Sequence, residues 1–298
     1  MPDNAVDNGT KKTDENATGT PVTRVSAAAR RRDLLRIRER VPTWMMWVLG
    51  VIPILLILGL WALFTSGATP EARLISPTIL PSPAEVTRSF PELWFERAVA
   101  RNLLISFGRV LAGFALAVLV VFPLGLAMGA FTKIKAAFQP LSVFGAYLPI
   151  PTLVPLTMSL FGTGEMQKAI FLAIAFGIYL LPLIVAAVDN VDETYLKTAY
   201  TLGAGRRQVV ERVLLAISWP EIYHALRLGF GVGWSYILLA EMVDIGKGLG
   251  GLIMISQRRG PREHIYLVLV LIVAVAFLTD RVWAAVGRRL FPYREEAR

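Results

Sequence analysis

The chain has 298 residues, 55% of them apolar and only 18% charged, and its mean hydropathy is +0.55. A soluble globular chain carries about 25% charged residues, so this composition excludes a disordered protein and argues against an ordinary soluble enzyme. There is no Cys and there are two His, His224 and His264, which removes disulfides, thiolate metal sites, Cys nucleophiles and a His-rich metal centre, while the net charge of +9 in so apolar a chain reads as Lys- and Arg-rich cytoplasmic loops rather than nucleic-acid binding.

Residues 1–23 are polar and lack aromatics, so they cannot bury enough apolar surface to order themselves. No apolar core follows at the distance a signal peptide needs. Residues 24–43 carry Arg24, Arg30, Arg31, Arg32, Arg36, Arg38 and Arg40 against Asp33 and Glu39, a basic juxtamembrane segment suited to anionic membrane lipid. Residues 1–43 are therefore expected as a disordered, basic cytoplasmic tail.

A helix crosses a bilayer with about 20 mostly apolar residues. Six stretches qualify: Trp44–Phe64, Leu103–Ala130, Phe138–Phe161, Gln167–Val188, Ile222–Val243 and Ile265–Gly287. With the N-terminus inside, twenty Lys and Arg fall on cytoplasmic pieces and nine on outer ones. That asymmetry predicts both termini in the cytoplasm. The expected order is a first span at 44–64, an outer segment at 65–102, a five-helix core at 103–287 and a cytoplasmic tail at 288–298. In the outer segment, Ser82-Pro83-Ala84-Glu85 is a capping box with Pro at the first helical position, so a short amphipathic helix is expected to start there. No internal repeat suggests an inverted-repeat carrier.

The 189–221 loop is the most informative segment. Two short amphipathic helices fit it, hinged at Gly203 to Gly205, where glycine supplies the left-handed turn that ends the first helix. In the second, Val209, Val210, Val213 and Leu214 are apolar, with Arg206, Arg207 and Arg212 elsewhere. Such a helix–Gly–helix is either a rigid knob for a soluble partner or a plain interfacial helix pair.

The run Leu196-Lys197-Thr198-Ala199-Tyr200-Thr201-Leu202-Gly203-Ala204-Gly205 resembles the loop that ABC importer permeases write as L-x-E-A-A-R-T-L-G-A-S. Other runs are similar to the same family in the same order. They are Ile79 to Val86, Ser106-Phe107-Gly108-Arg109 through Phe114, Pro149-Ile150-Pro151 through Gly162-Thr163-Gly164-Glu165, Ala240-Glu241-Met242, and Gly248 through Ile253. Together they cover roughly residues 76–287 and look like the nitrate, sulfonate and taurine branch. Lys197 stands where the family has Glu, Thr198 where it has Ala, and Ala216 where it has Pro, although Pro220 is present.

The resemblance implies an all-α polytopic fold with six transmembrane helices and a type I ABC importer permease core. It implies two ATP-binding subunits carrying ATP and Mg, a second permease copy in a homodimer, and a periplasmic or lipid-anchored substrate-binding protein. The implied coupling loop is 195–215, with Lys197, Thr198, Ala199, Leu202, Gly203, Ala204, Gly205, Arg206 and Val209. The implied cargo is a small anion such as a sulfonate, taurine or nitrate. No cofactor is expected on this chain, which has no G-x-x-x-x-G-K-[ST] loop: Gly246-Lys247 is followed by Gly248, and Glu241 sits where the leading Gly belongs.

Pro149, Pro151 and Pro155 interrupt the third span and leave carbonyls without intrahelical donors. Broken backbone at membrane depth needs cover from protein or a water-filled cavity, so Pro149, Pro151, Thr152 and Pro155 are expected in the wall of a translocation path or in a buried kink. Trp234, Ser235 and Tyr236 of the fifth span are candidates for the same path. Gly125 and Gly129, and Gly229 and Gly233, are each four apart and permit close helix approach, within the chain or to a second copy. Arg109, Arg227, Glu241 and Asp280 lie in or near spans and read as snorkelling or structurally paired charges, or as functional ones. His224 is expected at an interface and His264 in an outer loop. Two other classes stay open. A polytopic membrane enzyme requires clustered His, Asp, Glu or Ser in its spans, and an ATP-independent channel or secondary carrier requires no ATPase partner.

Overall fold

The computed structural model describes residues 41–67, 69, 72–243 and 246–293. Residues 1–40 of the tail expected at 1–43, and the final residues from 294, lie outside the described residues. The chain divides into two units, 1–56 and 57–298. In the first, the described residues are the start of helix α1, Thr43–Phe64, which has Pro53 inside it.

The second unit is helical throughout its regular structure, with no strand among the described residues. After the end of α1 come α2 (Pro83–Arg88), a π-turn at Glu92–Glu96, α3 (Val99–Ala130), α4 (Thr132–Ala146), a 3-10 turn at Ile150–Thr152 and α5 (Leu153–Phe161). Then follow α6 (Glu165–Asp189), α7 (Glu193–Thr201), α8 (Arg206–Val243), α9 (Leu249–Arg259) and α10 (Arg262–Leu290). Among the described residues, five helices are long and apolar enough to cross a membrane: α1, α3, α6, α8 and α10. The pair α4 and 150–161 makes a sixth crossing only as a bent span.

Helix α6 is the centre of the bundle, packed along both α3 and α8. Bare glycines let the three backbones approach. A Cβ at Gly113, Gly125 or Gly129 of α3 would fall on Leu172, Ile184 or Val188 of α6, and one at Gly229 or Gly233 of α8 on Leu180 or Phe176. Lipid tails are as apolar as Leu, so it is this close van der Waals fit that holds spans together. The notched glycines of α3 and α8 are thus used inside the chain. Aromatic rings finish the core: Phe114 meets Phe176 and Phe230 edge-on at 5.3 and 5.2 Å.

Three features depart from the expected elements. The third span, expected as one stretch over Phe138–Phe161, bends by 90°. Pro149 has no N–H, biases Leu148 away from helix and is itself extended, so the chain leaves α4 and restarts with one 3-10 turn, in which Pro151 takes an early position where its missing N–H costs nothing. Pro155 does no such damage, because it falls in the first turn of α5, where the N–H has no partner anyway. The second helix of the 189–221 segment is not separate. It runs unbroken from Arg206 into the fifth span as the 38 residues of α8, with a π-type stretch at Val209–Leu214. His264 is not a loop residue: it sits buried in the first turn of α10, with Nε2 3.6 Å from Glu92 Oε2.

The expected start at Ser82 is seen in full. Its hydroxyl accepts from the Glu85 N–H at 3.2 Å, and the Glu85 carboxylate accepts from the Ser82 N–H at 2.8 Å. Arg73 clamps the same carboxylate through two bonds of 2.8 and 3.1 Å. The guanidinium, together with the Ser82 amide, pulls the Glu85 carboxyl down to about 2.

Candidate functional site

The short stretches Ser106–Arg109, Gly162–Glu165, Ala240–Glu241 and Gly248–Gly250 are far apart in sequence. The fold brings them to one point at the end of the bundle where α3 and α6 begin and α8 ends. Arg109 of α3 is 6% exposed and Glu241 of α8 is 0% exposed, so neither charge has water to lean on. They satisfy each other instead: Arg109 NH1 donates to Glu241 Oε1 at 2.7 Å and to the Lys247 carbonyl at 2.7 Å. The Ser106 hydroxyl lies 2.7 and 2.9 Å from the two Glu241 oxygens, and the Gly250 N–H donates to Oε2 at 2.9 Å. A buried carboxylate with this many donors offsets much of its desolvation cost.

The same contacts fix the turn that leads into α9. The Leu249 N–H donates to Ser106 Oγ at 2.9 Å, and the Gly248 N–H to Asn102 Oδ1 at 2.8 Å. Gly248 has φ +118, and a Cβ there would overlap the Glu241 carboxylate, so only glycine fits. On the remaining edge of its guanidinium, Arg109 Nε donates to Glu165 Oε2 at 2.6 Å and NH2 pairs with Glu165 Oε1. Glu165, the first residue of α6, is 68% exposed. Arg109 and Glu241 are thus structurally paired, one of the roles expected for them; that they pair with each other, and the part of Glu165, Ser106 and Asn102, are not legible from the residues alone.

The coupling candidates lie at the opposite end. Asp192 caps α7 by accepting from the Thr194 N–H at 2.7 Å, and the Thr194 side chain, together with that amide, holds its carboxyl below the ordinary range. The helix ends as the glycine pattern predicts. Gly203 has φ +80, its N–H donates to Tyr200 O at 3.0 Å, and the Ala204 N–H donates to Ala199 O at 3.0 Å. This pair of bonds is a Schellman end, in which glycine takes the left-handed position. Gln208 then caps the start of α8 through the Gly205 N–H at 2.9 Å. Lys197, Thr198, Leu202, Gly203, Gly205 and Arg206 are exposed, with Ala199 and Ala204 half-buried. Val209 is buried where α7 packs on the 209–214 turn, so it fastens the two helices together rather than facing outward. Lys197 pairs with Glu193 one turn earlier, at 3.0 Å.

Of the path candidates, Pro149, Pro151, Thr152 and Pro155 are exposed along the bend, as is Ser235, with Tyr236 half-buried. Trp234 is not on any open face. It is 2% exposed and stacked on Phe107 with ring centres 6.0 Å apart. Towards the α7 end, Arg227 and Asp280 form a two-bond pair of 2.6 and 2.8 Å beside a cavity of about 730 Å³ that Asn190, His224, Arg288 and Phe291 help to line. Among the described residues no three His, Asp or Glu converge as metal ligands.

Residues 120–292 match the family described as binding-protein-dependent transport system inner membrane component. The chain is 31% identical over 231 residues to the taurine transport system permease protein TauC of Escherichia coli (strain K12), covering 75% of this chain and 83% of that one. It is 24% identical over 259 residues to the nitrate import permease protein NrtB of Leptolyngbya laminosa, covering 86% and 89%. The fold is similar to a chain of the inward-facing MetNI methionine ABC transporter, with a TM-score of 0.59 at 16% identity over 67% of this chain and 97% of that one. The chain belongs to the binding-protein-dependent inner membrane components, as a multi-pass ABC importer permease of the branch that includes the taurine and nitrate permeases.

Proposed function

We propose that this permease forms the path for a small anion such as a sulfonate, taurine or nitrate, and that ATP drives it from separate subunits. Two copies of the chain meet as a homodimer around the path. Two ATP-binding subunits, holding ATP and Mg, grip the 195–215 knobs from the cytoplasm, where both termini also lie. A periplasmic or lipid-anchored binding protein delivers the anion to the other face. The bent third span at Pro149 to Pro155, with Ser235, walls the path. The names of the relatives support the cargo class, and the excess of Lys and Arg on one side supports the orientation.

One observation carries the coupling: α7 is locked by its Schellman turn and by buried Val209 onto a helix that continues without a break into a span. A push on the knob therefore moves α8 as a lever. A partner that binds two states of the knob with different affinity shifts the permease between them. Gly203→Val is the test. Nothing lies within 4 Å of a Cβ there, so the damage is to the backbone alone, about 1–2 kcal/mol of left-handed strain. The reconstituted complex should assemble but lose stimulation of ATP hydrolysis by loaded binding protein, together with uptake. Wild-type stimulation and uptake in Gly203→Val would reduce the knob to an interfacial helix pair.

A further inference from the structure

The guanidinium of Arg109 has two unlike edges. One is committed to the interior: NH1 serves Glu241, which is 0% exposed, and the Lys247 carbonyl. The other, made of Nε and NH2, is met among the described residues by the carboxylate of Glu165, whose side chain is 68% exposed. That second edge is the two-donor fork that matches two oxygens of a carboxylate, and its geometry also suits two oxygens of another planar or tetrahedral oxoanion. Glu165 can swing away into solvent, because its side chain is largely exposed. Arg109 stays compensated by Glu241 when it does.

The surroundings favour such an exchange. Glu165 follows the turn Gly162-Thr163-Gly164, where Gly162 has φ +74 and neither glycine has an atom within 4 Å of a Cβ position. The segment that carries the carboxylate thus has open space around it. Lys168 and Lys247 both act electrostatically on the place Glu165 occupies.

We infer that the Nε–NH2 edge of Arg109 is a binding site for a small oxoanion, which Glu165 fills in this conformation as an internal stand-in and which a travelling anion takes by displacing it. This rests on the reading of the chain as an anion permease and adds a site within it. Glu165 is then a displaceable competitor, and Glu241, Ser106 and the 247–250 turn hold Arg109 in place while the exchange occurs.

The test is chemical rescue in the assembled transporter, without ATP, read as thermal unfolding. Glu165→Gln should lower the midpoint. Nitrate, used as the probe, should restore it saturably, and chloride at equal ionic strength should restore less, because a monatomic ion cannot span the fork. Nitrate should also raise the wild-type midpoint, with half-saturation about tenfold higher than in Glu165→Gln, since the carboxylate competes; tenfold corresponds to about 1.4 kcal/mol. Glu165→Asp should fall between the two. Glu96→Gln, at an exposed acid of the 92–96 turn, should leave both midpoint and nitrate response unchanged. Equal effects of nitrate and chloride on Glu165→Gln, or no effect of either, would make Arg109–Glu165 a plain structural pair and overturn the site. Absence of nitrate rescue beside intact ATP-driven uptake sinks this inference alone. Nitrate rescue in a complex whose ATPase is never stimulated sinks the importer reading alone.

Discussion

Glu241 meets Ser106 across 135 positions of chain and Arg109 across 132, buried from the surface. At the other end of the bundle, the turn at Gly203 is closed by Tyr200 and Ala199, three and five residues from their donors, in full view of solvent. The first region is rigid because many distant groups must be present together. The second is rigid because a single glycine allows one backbone shape. Loss of a member at the first end should therefore damage the whole bundle, whereas loss of the glycine at the second should damage only what the knob transmits.

The largest effect expected follows from the first end. Glu241→Ala leaves Arg109 buried with only the exposed Glu165 to balance it, and removes the acceptor of Ser106 and Gly250. Breaking one partner out of a buried pair costs about 3–5 kcal/mol, so the variant should lose yield and unfold well below wild type in detergent. Asp280→Asn breaks a pair of similar geometry whose side chains are 23% and 44% exposed, and should cost about 1 kcal/mol or less. Equal midpoints for the two variants would remove the contrast between a buried network and a half-exposed pair.

Helix packing gives the next test. Gly229→Ala puts a methyl onto Leu180 and should cost about 1–3 kcal/mol by overpacking. Gly231→Ala, two residues on, meets nothing within 4 Å and should be neutral or slightly stabilising, as Ala is the better helix former. If Gly231→Ala instead impairs the assembled transporter, that open face is covered by another subunit.

The same contrast decides what could be read from the residues. Wherever a contact is local, the chain announces it. The Ser82 capping box, the Gly203 turn, the break at Pro149 and five of the six apolar spans follow from neighbours in sequence and are found. Where it is distant, the residues were visible but not their partners. Arg109, Glu165, Glu241 and Gly248 stood in separate recognisable runs, yet nothing in periodicity says that four elements will bring them to one point. Trp234 was misplaced for the same reason. Its position on the fifth span was legible, but whether that face meets Phe107 or open space depends on helix rotation, which the Gly229 and Gly233 contacts set. The merger of 206–214 with the fifth span was missed because glycine and arginine at 203–207 mark a helix start without marking where the helix stops.

Glu85 lies between these extremes, with one partner three residues away and another twelve, and it gives the smallest expected effect. Its carboxyl titrates at about 2 in the folded chain against an ordinary 4.5, because ionised Glu85 accepts from Arg73 and from the Ser82 amide. A folded value below the unfolded one means the stabilisation is fully present above pH 4.5 and is lost as pH falls through about 2. The side chain is partly exposed and its ion pair screened, so the contribution should be on the order of 1 kcal/mol. Hydrogen exchange of the 82–89 amides, corrected for intrinsic rates, should therefore rise as the pH is lowered across that window, while amides of α6 stay protected. Glu85→Gln should show the raised exchange at every pH. If the Gln variant retains the wild-type pH dependence, a different carboxylate controls this segment. If its exchange matches wild type at neutral pH, the helix at Pro83 is held by packing of Val86 and Leu93, and the capping box adds nothing measurable.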